Sequence, residues 1–196
     1  MTMPSTAGRM NQKLRTRSAI LQAAAELSRT GREVTMPEIA KAALVSEATA
    51  YRYFPDLVSL LLEAIADQLP VPTEALAPVA HSKDPAERVA FATDFLLRHV
   101  LARQGVVRAM IAGTVARPGQ NPRPGLRFGL IDHALAAESI GAPDPATLVQ
   151  LKCGLAVVVS AEALFNLMDL YGLDSEQAIT SLTSTAASLT RAALQS

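Results

Sequence analysis

The chain has one cysteine, three histidines and only 4% aromatic residues in 196. A single thiol, Cys153, supports neither a disulfide framework nor a CxxC metal site, and it points to a reducing compartment. His81, His99 and His133 have no ligand spacing, so no metal is expected. The sequence holds no glycine-rich phosphate loop, no H-E-x-x-H, no G-x-S-x-G and no closely spaced carboxylate pair within an apolar stripe. An enzyme is therefore not expected, and neither is a cofactor. No uninterrupted apolar run reaches the roughly 20 residues that span a bilayer, and no apolar h-region follows the basic N-terminal residues. A cytoplasmic protein without a membrane partner is the expectation. A strand pattern of period two is absent too, which leaves an all-α fold.

What the chain does contain is apolar: 49% of its residues are hydrophobic, ample for a core in one unit or in a small domain joined to a larger one. Formal charge is zero, but it is unevenly spread. Residues 1–54 hold eight basic side chains (Arg9, Lys13, Arg15, Arg17, Arg29, Arg32, Lys41, Arg52) against four acidic ones (Glu26, Glu33, Glu38, Glu47), a local +4. The other 142 residues carry ten against fourteen, or −4. Such a basic end suits nucleic acid, and it equally suits a solvated helix surface with a polar tail.

Within that end, three helical patterns follow one another almost without linkers. Ile20, Leu21, Ala24 and Leu27 form an apolar stripe that ends before Gly31. Thr35-Met36-Pro37-Glu38 then supplies a capping hydroxyl, a first-turn proline and a carboxylate three residues on, so a helix starts at Met36 and closes near Ala43. Only Leu44-Val45 separates it from the next, capped by Ser46 and running Glu47 to Phe54. Two short helices joined this closely stand at a steep angle. In the second, Ala50 and Phe54 face inward while Ala48, Thr49, Arg52 and Tyr53 face largely outward. Small residues, hydroxyls and one arginine can enter a DNA major groove, and Arg52 is the long donor suited to guanine O6 and N7.

The run Ile20-Leu21, Ala24, Leu27, Gly31, Thr35, Ile39-Ala40, Val45-Ser46, Thr49 and Tyr51-Arg52-Tyr53-Phe54 resembles the N-terminal domain of TetR/AcrR-type transcriptional repressors. The resemblance implies phosphate contacts from Thr35, Tyr51 and Tyr53 and base reading by Glu47, Ala48, Thr49 and Arg52, with Arg15, Arg17 and Ser46 in the same DNA-binding set. Each tyrosine has an alternative role, packing against the first helix. Two positions depart from the family. Leu44 stands where glycine is common, which strains the turn if its φ is positive. Pro55-Asp56-Leu57 stands where a phosphate-binding lysine is common, and Asp56 reads instead as the cap of a helix over Leu57–Leu69.

Beyond Leu69, Pro70, Pro72 and Pro78 forbid a helix across 70–80, and Asp84-Pro85 opens a new one reaching Ala102. It carries one stripe of Phe91, Phe95 and His99 and another of Val89, Leu96 and Val100. Shorter helices are expected over Gly105–Ala116 and Leu126–Ser139, separated by the Arg117–Gly125 break and ended by Gly141-Ala142-Pro143. A long apolar helix should span Pro145 to Tyr171, stopped by Gly172, and Asp174 should cap the last. Between Gln177 and Thr190 that last helix carries no charge. Leu148, Leu151, Leu155 and Val158, with Ile179, Leu182, Ala186, Leu189 and Ala193, repeat at coiled-coil spacing and are the expected dimer interface. Gly154, Ala156, Ser160 and Ala161 would permit close approach.

The organisation expected is thus a flexible basic arm (1–14), a three-helix helix-turn-helix domain (15–55) and a helical effector-binding and dimerisation domain (56–196), about nine helices in all. Phe91, Phe95, His99, Met110, Thr114, Phe128, His133, Cys153, Phe165 and Met168 are the candidate effector-binding residues; each could equally be ordinary core. The function that follows is a ligand-responsive regulator, a repressor that binds a palindromic operator as a homodimer and is released by a small apolar or aromatic effector. A helical regulator of the same shape, controlled by a partner protein and lacking a small-molecule pocket, is the alternative.

Overall fold

Helix starts lie where capping chemistry puts them. In the computed structural model, which describes residues 6–66, 68–116, 125–136 and 144–195, the hydroxyl of Ser46 and the carboxylate of Asp174 accept backbone N–H bonds from Thr49 and Gln177. The helices are α1 (Thr6–Ser28), α2 (Met36–Ala42), α3 (Glu47–Tyr53), α4 (Leu57–Ala66), α5 (Pro72–Ala75), α6 (Pro85–Ala102), α7 (Gln104–Ala116), α8 (Leu126–Ala134), α9 (Pro145–Val158), α10 (Ala161–Asp169) and α11 (Ser175–Leu194), with a 3-10 turn at Ala77–Val79. The fold is all-α, with no strand among the described residues.

The chain divides into two compact units, Met1–Gln68 with Ala102–Pro124, and Leu69–Leu101 with Gly125–Ser196. In the first, Ile20 and Ala24 of α1, Ile39 of α2, Ala50 of α3, Leu60 and Leu61 of α4 and Val106 and Met110 of α7 share one core. Its hydrophobic centre therefore runs past residue 55 and recruits α4 and α7, because helices as short as α2 and α3 bury too little surface to stand alone. In the second, α8 packs against α5 and α9, and α11 against α9 and α10. Leu97, Leu130, Leu155, Leu164 and Ile179 are fully buried there. Arg88 is buried as well, and its Nε donates to the carbonyl of Ala134, the last residue of α8, at 2.8 Å. A cation at a helix C-terminus meets the negative end of the helix dipole, which offsets part of its desolvation.

Several elements differ from expectation. The first helix begins at Thr6 rather than after residue 14, since from Ala7 onward no proline interrupts a run of good helix formers. The segment 70–80 holds two single turns, each with proline in its opening positions, where proline is tolerated. The helix expected over Leu126–Ser139 ends at Ala134, and the breaks at 117–124 and 141–143 lie outside the described residues. The long helix expected from Pro145 to Tyr171 is two helices bent by 44° at Val159-Ser160. Ser160 explains the break, because its hydroxyl caps α10 through the Ala163 N–H at 3.1 Å. Among the described residues there are thus eleven α-helices where about nine are expected. No single helix among the described residues is long and apolar enough to cross a membrane.

Candidate nucleic-acid interface

Thr35 precedes α2 in an extended conformation, and Glu38 accepts from both its backbone N–H (3.0 Å) and its hydroxyl (2.9 Å). Those two bonds, the hydroxyl first, hold the Glu38 carboxyl below the usual glutamate range. Three residues close α2. Val45 donates to the Ala40 carbonyl at 3.0 Å and Leu44 to that of Lys41 at 3.2 Å, the paired bonds of a Schellman ending. That ending needs a left-handed residue, and Leu44 supplies it at φ 55°. A side chain with a Cβ costs roughly 1–2 kcal/mol there, so the anticipated strain is present. Ser46 then caps α3, accepting the Thr49 N–H at 3.2 Å, and its hydroxyl lies 2.9 Å from Thr49 Oγ1.

Along α3, Ala50 and the following Phe54 are buried while Glu47, Ala48, Tyr51 and Arg52 are exposed. Two short helices cross at a tight turn, the first covered by α1 and the second presenting a small, hydroxyl-bearing face with one arginine. Residues 20–64 match the sequence model of the bacterial regulatory proteins of the tetR family. Over those residues the chain is similar to the DNA-binding head of tetR-family transcriptional regulators.

Over most of its length the fold also resembles a crystal structure of a TetR transcriptional regulator from Rhodococcus sp. RHA1, at 24% identity and a TM-score of 0.55, covering 91% of this chain and 97% of that one. Among curated proteins none matches.

Within the head the expected DNA-binding residues fall into three groups. Arg15, Thr35, Ser46, Glu47, Ala48 and Arg52 are exposed, as is Tyr51 at 47%. Thr49 and Tyr53 are half-buried, and the Tyr53 ring packs on the head core with the Arg52 guanidinium 5.5 Å from its centroid. Arg17 is engaged inside the head. Its guanidinium grips the Glu63 carboxylate with two bonds, one at 2.6 Å, and lies 4.9 Å from the centre of the Phe54 ring, which ties α1, the end of α3 and α4 together. Glu63 raises its pKa further, so Arg17 is a permanent cation held by an internal partner.

A groove of about 650 Å³ runs between α1 and α3, lined by Gln12, Lys13 and Thr16 on one side and by Val45, Ser46, Thr49, Arg52 and Tyr53 on the other. Gln12 and Thr16 are additions: Gln12 becomes visible once α1 is extended back to Thr6, whereas Thr16 already lies within the expected head and carries no motif of its own. Where the family often has a phosphate-binding lysine, Asp56 accepts from the Ser59 N–H at 2.8 Å and so opens α4, a structural use of the position.

The candidate effector residues are divided between the two units. Met110 belongs to the head core, and Thr114, on the same helix, spends its hydroxyl on the Met110 and Ile111 carbonyls. In the second unit, Phe165 is buried, Cys153 is exposed, and Phe128 is exposed beside Arg127. Phe91, Phe95, His99, His133 and Met168 are half-buried, and the fully buried face of α6 is the one with Val89, Leu96 and Val100. Of the expected dimer residues, Leu151, Leu155, Ile179, Leu182 and Ala186 are buried in the chain's own core, so they cannot form a surface. Leu148, Val158 and Ala193 are half-buried and Leu189 is exposed. A groove of about 750 Å³ between α9 and α11 is lined by Ala146, Thr147, Gln150, Leu151, Gly154, Leu189, Ala192 and Ala193.

Proposed function

We propose that this regulator is a repressor that binds an inverted-repeat operator as a homodimer and leaves it when a small apolar or aromatic effector is bound. The exposed face of α3 carries the reading, since Arg52 there offers a bidentate donor to guanine while Ala48 and Thr49 are small enough to admit it to the groove. Lys13, Arg15 and Lys41 are exposed around it and suited to phosphate.

Dimerisation is supported by α9 and α11. Val149 and Val157 on α9 are 62% and 71% exposed, and the outward face of α11 carries Ser181, Ser184, Ser188 and Leu189 without a charge. A second copy covering these helices would remove that apolar surface from water. Two heads related by a two-fold axis would then read half-sites in successive major grooves.

The effector reading rests on the half-buried stripe of α6, where the Phe95 and His99 rings lie 6.4 Å apart at 21°. The chain passes from α6 directly into α7, whose Val106 and Met110 belong to the head core, so a change along α6 has a covalent route to the head. The test is DNA affinity measured on a selected operator and on random DNA. Arg52→Ala should lose about 5- to 150-fold on the operator, the range for one bidentate base contact, and far less on random DNA. Equal loss on both removes the base-reading role. If no small molecule weakens operator binding but a partner protein does, regulation belongs to that partner.

A further inference from the structure

Leu44 is the one described non-glycine residue with positive φ, and it is also the most exposed large apolar side chain described, at 93%. The two facts oppose each other. The Schellman ending of α2 requires a left-handed residue, which glycine or asparagine supplies without strain, yet leucine is present and gains no burial from the fold. Nothing inside the chain rewards its four side-chain carbons.

Leu44 stands two residues before Ser46, the cap of α3, and three after the exposed Lys41. Its neighbours Val45 and Ser46 line the groove shared with Thr49 and Arg52. We infer that Leu44 is an apolar DNA contact, pressed on binding against a thymine methyl group or a deoxyribose at the edge of the half-site. This rests on the DNA-binding reading above. A thymine C5-methyl is the apolar feature of the major-groove edge, and a leucine at the turn could cover it where a glycine could not. Strain held at an exposed position is consistent with a role outside the fold.

The experiment uses the full chain and an operator selected from random DNA. Leu44→Asn relieves the backbone and should raise the melting temperature while weakening operator binding about threefold or more. Leu44→Ala keeps the strain and should weaken binding to a similar degree without raising the melting temperature. Replacing operator thymines by uracil separates the two DNA surfaces: a wild-type loss that vanishes in Leu44→Ala identifies a methyl contact, and no uracil effect identifies the sugar. Unchanged or tighter operator binding by both variants overturns the inference, while Arg52→Ala still losing operator binding would leave the DNA-binding reading intact. A wild-type chain that selects no sequence overturns both.

Discussion

Gly105 opens α7 at a point where the head's backbone passes closest to it. Its N–H donates to the Gly31 carbonyl at 3.2 Å, and a Cβ built there would lie 2.0 Å from the Arg32 oxygen, 2.3 Å from the Arg32 carbonyl carbon and 2.6 Å from the Glu33 nitrogen. All three atoms are backbone, so no rotamer change relieves the clash. The start of α7 or the 31–33 loop must move by more than an ångström. Forced overpacking of this kind costs about 1–3 kcal/mol, and the lost hydrogen bond adds about 1 kcal/mol. The better helix propensity of alanine returns at most about 1 kcal/mol. Gly105→Ala should therefore destabilise the head by about 1–3 kcal/mol. Read by far-UV circular dichroism, that is a fall of roughly 2–12 °C in melting temperature at a typical 2–4 °C per kcal/mol for a chain of this size. A variant melting within a degree of wild type would show that α7 is not clamped to the loop after α1, and with it the extension of the head core beyond α4 would fail.

Glu38 is depressed below its ordinary pKa by the Thr35 hydroxyl and N–H, so its contribution is present above the unfolded value and is lost as pH falls through the folded one. Glu38→Gln should flatten the acid limb of head stability in urea melts between about pH 5 and 3, around the usual glutamate range; a variant with an unchanged acid limb would contradict the capping bonds. Gly154 lies inside α9, and a Cβ there would meet nothing within 4 Å. Gly154→Ala should stabilise the isolated chain by about 0.5–1 kcal/mol through helix propensity and, where a second copy approaches this groove, raise the dimer dissociation constant several-fold. Sedimentation that finds the dimer unaffected would place the close approach elsewhere.

Local chemistry made much of the head legible. Ser46, Asp56 and Asp174 each announce a helix by a side chain that accepts a free N–H three residues on, and at Thr35 the Glu38 carboxylate accepts the N–H of the capping residue; such signals need no knowledge of the fold. The α9–α10 break carried the same signal, with Ser160 followed by Glu162, but it was masked by the apolar run around it. Pairing across distance left no trace in the sequence. Arg17 reads as a DNA-facing cation until Glu63, 46 residues on, is seen to hold it. Periodicity showed two stripes on α6 without ranking them, and burial went to Val89, Leu96 and Val100 rather than to the aromatic stripe. The seam expected for a dimer treats Ile179, Leu182 and Ala186 as outward-facing, but α11 must first satisfy the chain's own core. Ile179, Leu182 and Ala186 do so, and the outward residues are left for any partner.

The central claim is that α3 reads DNA as one of two symmetric heads. Selection of bound sequences from random DNA by the full chain tests it most directly. The account predicts an inverted repeat whose half-sites are about one helical turn apart and share a guanine, with the preference for that guanine lost in Arg52→Ala. Recovery of a motif without two-fold symmetry, or of a guanine preference that survives the substitution, would contradict it.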